Sequence, residues 1–82
     1  GEEPLVITIT RDRRIFVNDV VFKQSELGGK LAAIRRTRSG LTVLLKADES
    51  VPYGYIMGAM AAIRKAGIEK IGLVTEPVEA AQ

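Results

Sequence analysis

From Thr42 to Thr75 the chain runs through a short apolar stretch, a proline-led helical stretch and a second apolar stretch. That order constrains the fold more than any other feature. Thr42 to Lys46 is too short for a helix before Asp48 and Pro52, so it reads as a buried strand. Pro52 suits the first turn of the next helix, where its missing N–H loses nothing. That helix is expected to run to about Ala66 and stop at Gly67, with Tyr53, Ile56, Met57, Met60 and Ile63 on its buried face. Ile71 to Thr75 is the last strand, ended by Pro77. A strand, a crossover helix and a strand of this length close as a right-handed βαβ unit with parallel strands.

The first half begins with period two. Leu5, Ile7 and Ile9 fall on one face of a strand, and Val6, Thr8 and Thr10 on the other. A polar turn at Arg11 to Arg13 leads to Arg14-Ile15-Phe16-Val17, most simply a hairpin partner of the first strand. Asn18-Asp19 tolerates a tight left-handed turn before Val20-Val21-Phe22. From about Gln24 to Arg36 the period changes, and Leu27, Leu31 and Ile34 form a narrow helical stripe. Gly28 and Gly29 each cost this helix up to ~1 kcal/mol, so tertiary packing must hold it. The expected fold is α/β (α+β), a small mixed sheet with two helices on one face and a βαβ unit at its carboxyl end. Residues 1–4 read as a disordered lead, 5–76 as one domain and 77–82 as a flexible tail. Gly1 looks like a cloning remnant, so the natural protein is expected to begin upstream of Glu2.

Composition narrows the chemistry. The chain has 82 residues, 46% of them hydrophobic and 27% charged, a globular profile. With no cysteine there is no disulfide or thiolate metal site, and with no histidine the commonest general base and metal ligand are gone. Triad hydrolases and zinc enzymes are excluded, and no cofactor or metal is expected. A net charge of +2 argues only weakly for nucleic acid. No apolar run approaches the ~20 residues that cross a bilayer.

Four features could carry function. The segment from Ala47 to Tyr53 follows a strand's carboxyl end, where α/β proteins place binding sites. Asp48 or Ser50 there could hold a partner's backbone or a cation, or simply cap the helix and shape the turn. Gly54, Gly58 and Ala61 share a strip of the second helix that would let another backbone approach, within the chain or in a second copy. Arg35, Arg36 and Arg38, with Arg11, Arg13 and Arg14, could meet phosphates or serve as a solvated helix end and a charged turn. Finally, Leu73-Val74-Thr75 or Leu5 to Thr10 could offer an unpaired sheet edge to a partner strand, unless Lys70, Glu76 and Pro77 blunt it. Asp12, Asp19, Asp48 and Glu49 form no recognisable catalytic pair, and no enzyme is expected.

Taken together, Val20-Val21-Phe22, the run from Val43 through Lys46-Ala47-Asp48-Glu49-Ser50-Val51-Pro52-Tyr53-Gly54, and Ala66-Gly67-Ile68-Glu69-Lys70-Ile71-Gly72-Leu73-Val74-Thr75-Glu76-Pro77 resemble the periplasmic domain of the ExbD/TolR family. Val51-Pro52-Tyr53 and Thr75-Glu76-Pro77 lean toward TolR-like members. The chain departs from the family at Asp12-Arg13, where many relatives carry a glycine in the turn, and at Lys23, where a Ser or Thr cap is common. The resemblance implies a periplasmic domain hung from one inner-membrane helix that carries a proton-responsive aspartate. Implied partners are an ExbB/TolQ-type channel subunit, a TonB/TolA-type transducer, a second copy of the chain and, in TolR-like members, peptidoglycan. It points to Asp48 and Tyr53 in the loop and to Leu73, with Val74 and Thr75, as partner-binding residues, and leaves Gly54, Gly58 and Ala61 as the dimer contact. The alternative is a small nucleic-acid-binding domain using the arginines.

Overall fold

The computed structural model describes residues 3–78. Strands β1 (Leu5–Ile9), β2 (Ile15–Val17) and β3 (Val20–Phe22) precede helix α1 (Gln24–Thr37); β4 (Thr42–Asp48), α2 (Tyr53–Lys65) and β5 (Lys70–Glu76) follow. The sheet order is β3-β2-β1-β4-β5. β1 pairs antiparallel with β2 and parallel with β4, and β5 extends the sheet parallel to β4. This is the expected mixed sheet, with the βαβ unit formed by β4, α2 and β5.

Alternation decides which face the helices cover. Leu5, Ile7, Ile9, Ile15, Val17, Val43, Leu45 and Ala47 are buried and join Leu27, Leu31, Ile56, Ala59 and Ile63 in one core. Their strand neighbours Val6, Phe16, Leu44 and Lys46 are only partly covered, so the opposite face of the sheet carries no helix. At Gly28 a Cβ would stand 3.8 Å from the Ala62 carbonyl oxygen, so a small residue there lets α1 and α2 approach closely.

The ends follow local chemistry. α1 starts at Lys23, and although that residue is not a Ser or Thr, its N–H donates to Glu26 Oε1 at 2.8 Å. This supplies the returning half of a capping box. Asn18 adopts the left-handed turn expected of it, with φ of 57°, and Arg13 does so as well at 67°. Thr10 leaves the strand: it is buried, and its hydroxyl donates to Asp12 inside the β1–β2 turn. Two expectations for α2 need correction. Pro52 is the cap before the helix rather than a residue of its first turn, because its extended backbone (ψ 140°) leaves its carbonyl to accept from Tyr55 and Ile56. Tyr53 does not belong to the buried face: it is 70% exposed, and the buried line of α2 runs through Ile56, Ala59 and Ile63.

Candidate functional site

β5 ends the sheet, so only its inner side is bonded, to β4 from Thr42↔Lys70 to Asp48↔Glu76. The outer row of backbone donors and acceptors meets no strand among the described residues. Lys70 opens the strand, and Glu76, 3.5 Å from Lys46 Nζ, closes it. Between them Ile71-Gly72-Leu73-Val74-Thr75 has no charge and no proline, so the usual devices that blunt an edge sit only at its ends. Leu73 is 40% and Val74 37% exposed, on opposite faces.

Helix α2 adds a wall beside this edge. Gly58 lies against Gln24 and Gly28 against Ala62, which fixes the side of α2 that meets α1. Tyr53, Met57, Met60 and Arg64 recur at helical spacing on the flank turned away from α1, which is the β5 side. Met57, Met60 and Ile71 are partly buried against the core, and Tyr53 and Leu73 are exposed. The result is an apolar shelf next to a strand whose outer edge meets no partner strand among the described residues.

Asp48 anchors the end of that strand. It is 1% exposed, and its oxygens are engaged within the chain. Oδ1 accepts from Val78 N at 2.9 Å; Oδ2 accepts from Ser50 N at 2.9 Å and from the Ser50 hydroxyl. Glu49 N donates to the Glu76 carbonyl at 3.0 Å, a second tie between the loop and β5. The Ser50 hydroxyl foremost, then the Val78 and Ser50 N–H groups, hold the Asp48 carboxyl down at about 2, with Arg11 Nε 4.0 Å away adding a little. Asp48 is therefore an ionised structural acceptor, which stabilises the segment from Glu76 to Val78.

The other sequence candidates separate in space. A Cβ added at Gly54 would meet nothing within 4 Å and Ala61 is exposed, whereas Gly58 is covered by Gln24 of the same chain. The arginines form two groups at opposite ends of the sheet, since Arg11, Arg13 and Arg14 follow β1 and Arg35, Arg36 and Arg38 precede β4. Sequence reasoning missed the tie between the Tyr55 hydroxyl and the Arg13 carbonyl, 3.1 Å apart and 42 residues distant in the chain. Among the described residues no acidic cluster could hold a metal ion, and no helix is long and apolar enough to cross a membrane.

Fold and edge define a small α+β domain whose outermost strand, β5, meets no further strand among the described residues. The family described as "Biopolymer transport protein ExbD/TolR" matches residues 2–78, and the chain belongs to that family. It is similar to the "Biopolymer transport protein ExbD" of Pseudomonas aeruginosa, 36% identical over 74 residues that make up 90% of this chain and 56% of that protein. The ExbD protein of Neisseria gonorrhoeae is 35% identical over 92% of this chain and 54% of its own length. The "Tol-Pal system protein TolR" of Pseudomonas aeruginosa is 31% identical over 71% of this chain and 40% of its own length. The leaning toward TolR therefore gains nothing from identity. The chain spans about half the length of the ExbD relatives it matches.

Proposed function

We propose that the chain is the periplasmic domain of an inner-membrane ExbD/TolR-type component of a proton-driven, energy-transducing complex. Its own work is contact and force transmission rather than catalysis. The observation that carries this is the β5 edge, uncharged from Ile71 to Thr75 and flanked by the α2 shelf. An extended segment of a TonB/TolA-type transducer would add there as a sixth strand, bonding through its main chain and placing alternate side chains on the shelf. Leu73, Val74 and Thr75 are the contact residues, with Tyr53 at the end of the shelf and Asp48 holding the strand's end in place. An ExbB/TolQ-type channel subunit would engage membrane sequence of the whole protein, and the exposed Gly54 and Ala61 would face a second copy, Gly58 being covered by Gln24 of its own chain. Peptidoglycan is a further partner in this reading.

The test is a chemical-shift titration of the isotope-labelled chain with a transducer peptide and, separately, with peptidoglycan fragments. Expected are shifts concentrated at residues 70–76 with the peptide, and slowed amide exchange along β5. Leu73→Lys puts a charge on the edge without emptying the core and should weaken peptide binding by about tenfold or more. Shifts confined elsewhere, or unchanged affinity in Leu73→Lys, would refute strand addition.

A further inference from the structure

The chain's two ends differ in charge, and the topology is the cause. β1, β4 and β5 are parallel, and both helices run back against them, so the carboxyl ends of α1 and α2 meet the amino ends of these strands. Arg35, Arg36 and Arg38 from the first helix, Arg64 and Lys65 from the second, and Lys70 from β5 are thereby brought to one pole. All but the half-buried Arg38 are exposed. The convergence is physical: the Arg35 guanidinium lies across Gly67, where a Cβ would come 3.0 Å from its Nε. Arg38 Nη2 donates to the Glu3 carbonyl at 3.0 Å, which places the start of the described chain at the same pole. Among the described residues, Glu3, Asp19 and Glu69 are the carboxylates at this end, half the number of cations. At the other end Asp12, Asp48, Glu49 and Glu76 interleave with Arg11, Arg13 and Arg14.

Complementing the helix dipoles accounts for some of these cations, since each helix end carries roughly half a negative charge. It does not account for six. A shallow cavity of about 90 Å³ opens between Arg35 and Lys70, floored by Gly40, Leu41 and Gly67 with Glu69 at its side. Two cations flanking this opening suit a phosphate group. Among the described residues no exposed aromatic stands at this pole on which bases could stack, which disfavours nucleic acid.

We infer that this basic pole docks on an anionic membrane surface, with Arg36, Arg64, Lys65 and Lys70 over the headgroups and one lipid phosphate between Arg35 and Lys70. The inference rests on the inner-membrane placement proposed above, and it gives the domain a fixed orientation. The basic pole and Glu3 face the lipid, while the β5 carboxyl end and the Asp48 loop point away from it.

Flotation of the 82-residue chain with vesicles tests this. One set is phosphatidylcholine alone; the other contains about a third phosphatidylglycerol, and both are run from about 0.05 to 0.15 M salt. Binding is expected only to the anionic vesicles and should fall as salt rises. Arg36→Gln with Arg64→Gln removes two surface cations that the structure ties to no partner among the described residues, and should weaken binding by about 30-fold. Lys23→Gln with Arg11→Gln, at the opposite end, should leave it unchanged. Thermal melts check that each variant folds. Equal binding to both vesicle types, equal loss in both double variants, or no binding at low salt would overturn the inference. So would shifts at Arg35, Gly67 and Lys70 with inorganic phosphate in a chain that ignores vesicles, or salt-dependent capture of an oligonucleotide in their place. Arg36→Gln with Arg64→Gln should keep the β5 shifts with transducer peptide, so failure here is distinct from failure of the strand-edge reading.

Discussion

Gly58 allows a prediction in which two effects of similar size oppose each other. It sits in the middle of α2, where glycine costs about 1 kcal/mol relative to alanine. A Cβ there would meet Gln24 Oε1 at 2.5 Å and Cδ at 3.2 Å. The obstacle is the end of a flexible side chain, so Gln24 can swing away. It then gives up the bond from its Nε2 to the Tyr55 carbonyl at 3.2 Å. Such a part-buried neutral hydrogen bond contributes about 0.5–1.5 kcal/mol. Gain and loss cancel, and Gly58→Ala is expected to change stability by no more than about 0.5 kcal/mol. With Gln24→Ala already in place the obstacle is gone, and Gly58→Ala should stabilise by about 1 kcal/mol. Gly29→Ala is the reference: nothing lies within 4 Å of its Cβ position. It should raise Tm by about 4–8 °C in a domain of this size. Urea and thermal melts of the two single variants, the double variant and the parent give the coupling, expected near 1 kcal/mol. Melts at two protein concentrations separate folding from association. If Gly58→Ala alone matched Gly29→Ala, or the cycle were additive to about 0.3 kcal/mol, the contact with Gln24 would not be the reason for glycine here.

Three further outcomes follow from the same geometry. The Asp48 carboxyl is depressed to about 2 from an unfolded value of 3.8. Its contribution is complete above the unfolded value and lost as pH falls from about 4 toward 2. Asp48→Asn should flatten that acid limb in denaturant titrations, leaving the smaller part due to Asp12, whose carboxyl the Thr10 hydroxyl also holds down; an unchanged limb would refute the anchor. Arg13→Gly relieves a left-handed backbone worth about 1–2 kcal/mol. It gives up an exposed cation–π contact with Tyr55, at 5.7 Å, worth about 0.5 kcal/mol. A net gain of about 1 kcal/mol should appear as a higher Tm, and a lower Tm would contradict it. Ile63→Ala empties a position that is 0% exposed and should cost about 2–5 kcal/mol in urea unfolding; a cost under about 1 kcal/mol would place α2 wrongly on the sheet.

Much of the fold is written in near-neighbour pattern. The alternation of Leu5, Ile7 and Ile9 yields a strand with one buried face, and Leu27 with Leu31 yields a helix with one. Pro52 and Gly67 bound α2 because one cannot enter a helix interior and the other takes the left-handed turn, at φ of 92°. Such features depend on residues within a few positions of one another, so a single chain displays them. The positive φ of Arg13, at 67°, was not legible in the sequence, where Arg11 to Arg13 read only as a polar turn.

The candidate site was legible only as residue names. Leu73, Val74 and Thr75 lie on an edge because β5 is outermost in the sheet, and strand order is set by how α1 and α2 pack across one face. Asp48 turned from a candidate ligand into an anchor because Val78, 30 residues on, donates to it. Tyr53 left the core because the buried line of α2 runs through Ile56, Ala59 and Ile63, to one side of it, and a Cβ at Gly58 would meet Gln24 on the other helix. Likewise six scattered cations became one pole when two helices were laid antiparallel to three strands. Periodicity fixes what each segment is, because it acts through the backbone's own repeat. Which segments meet is decided by burial shared between distant parts of the chain, and that is where the functional surfaces arise.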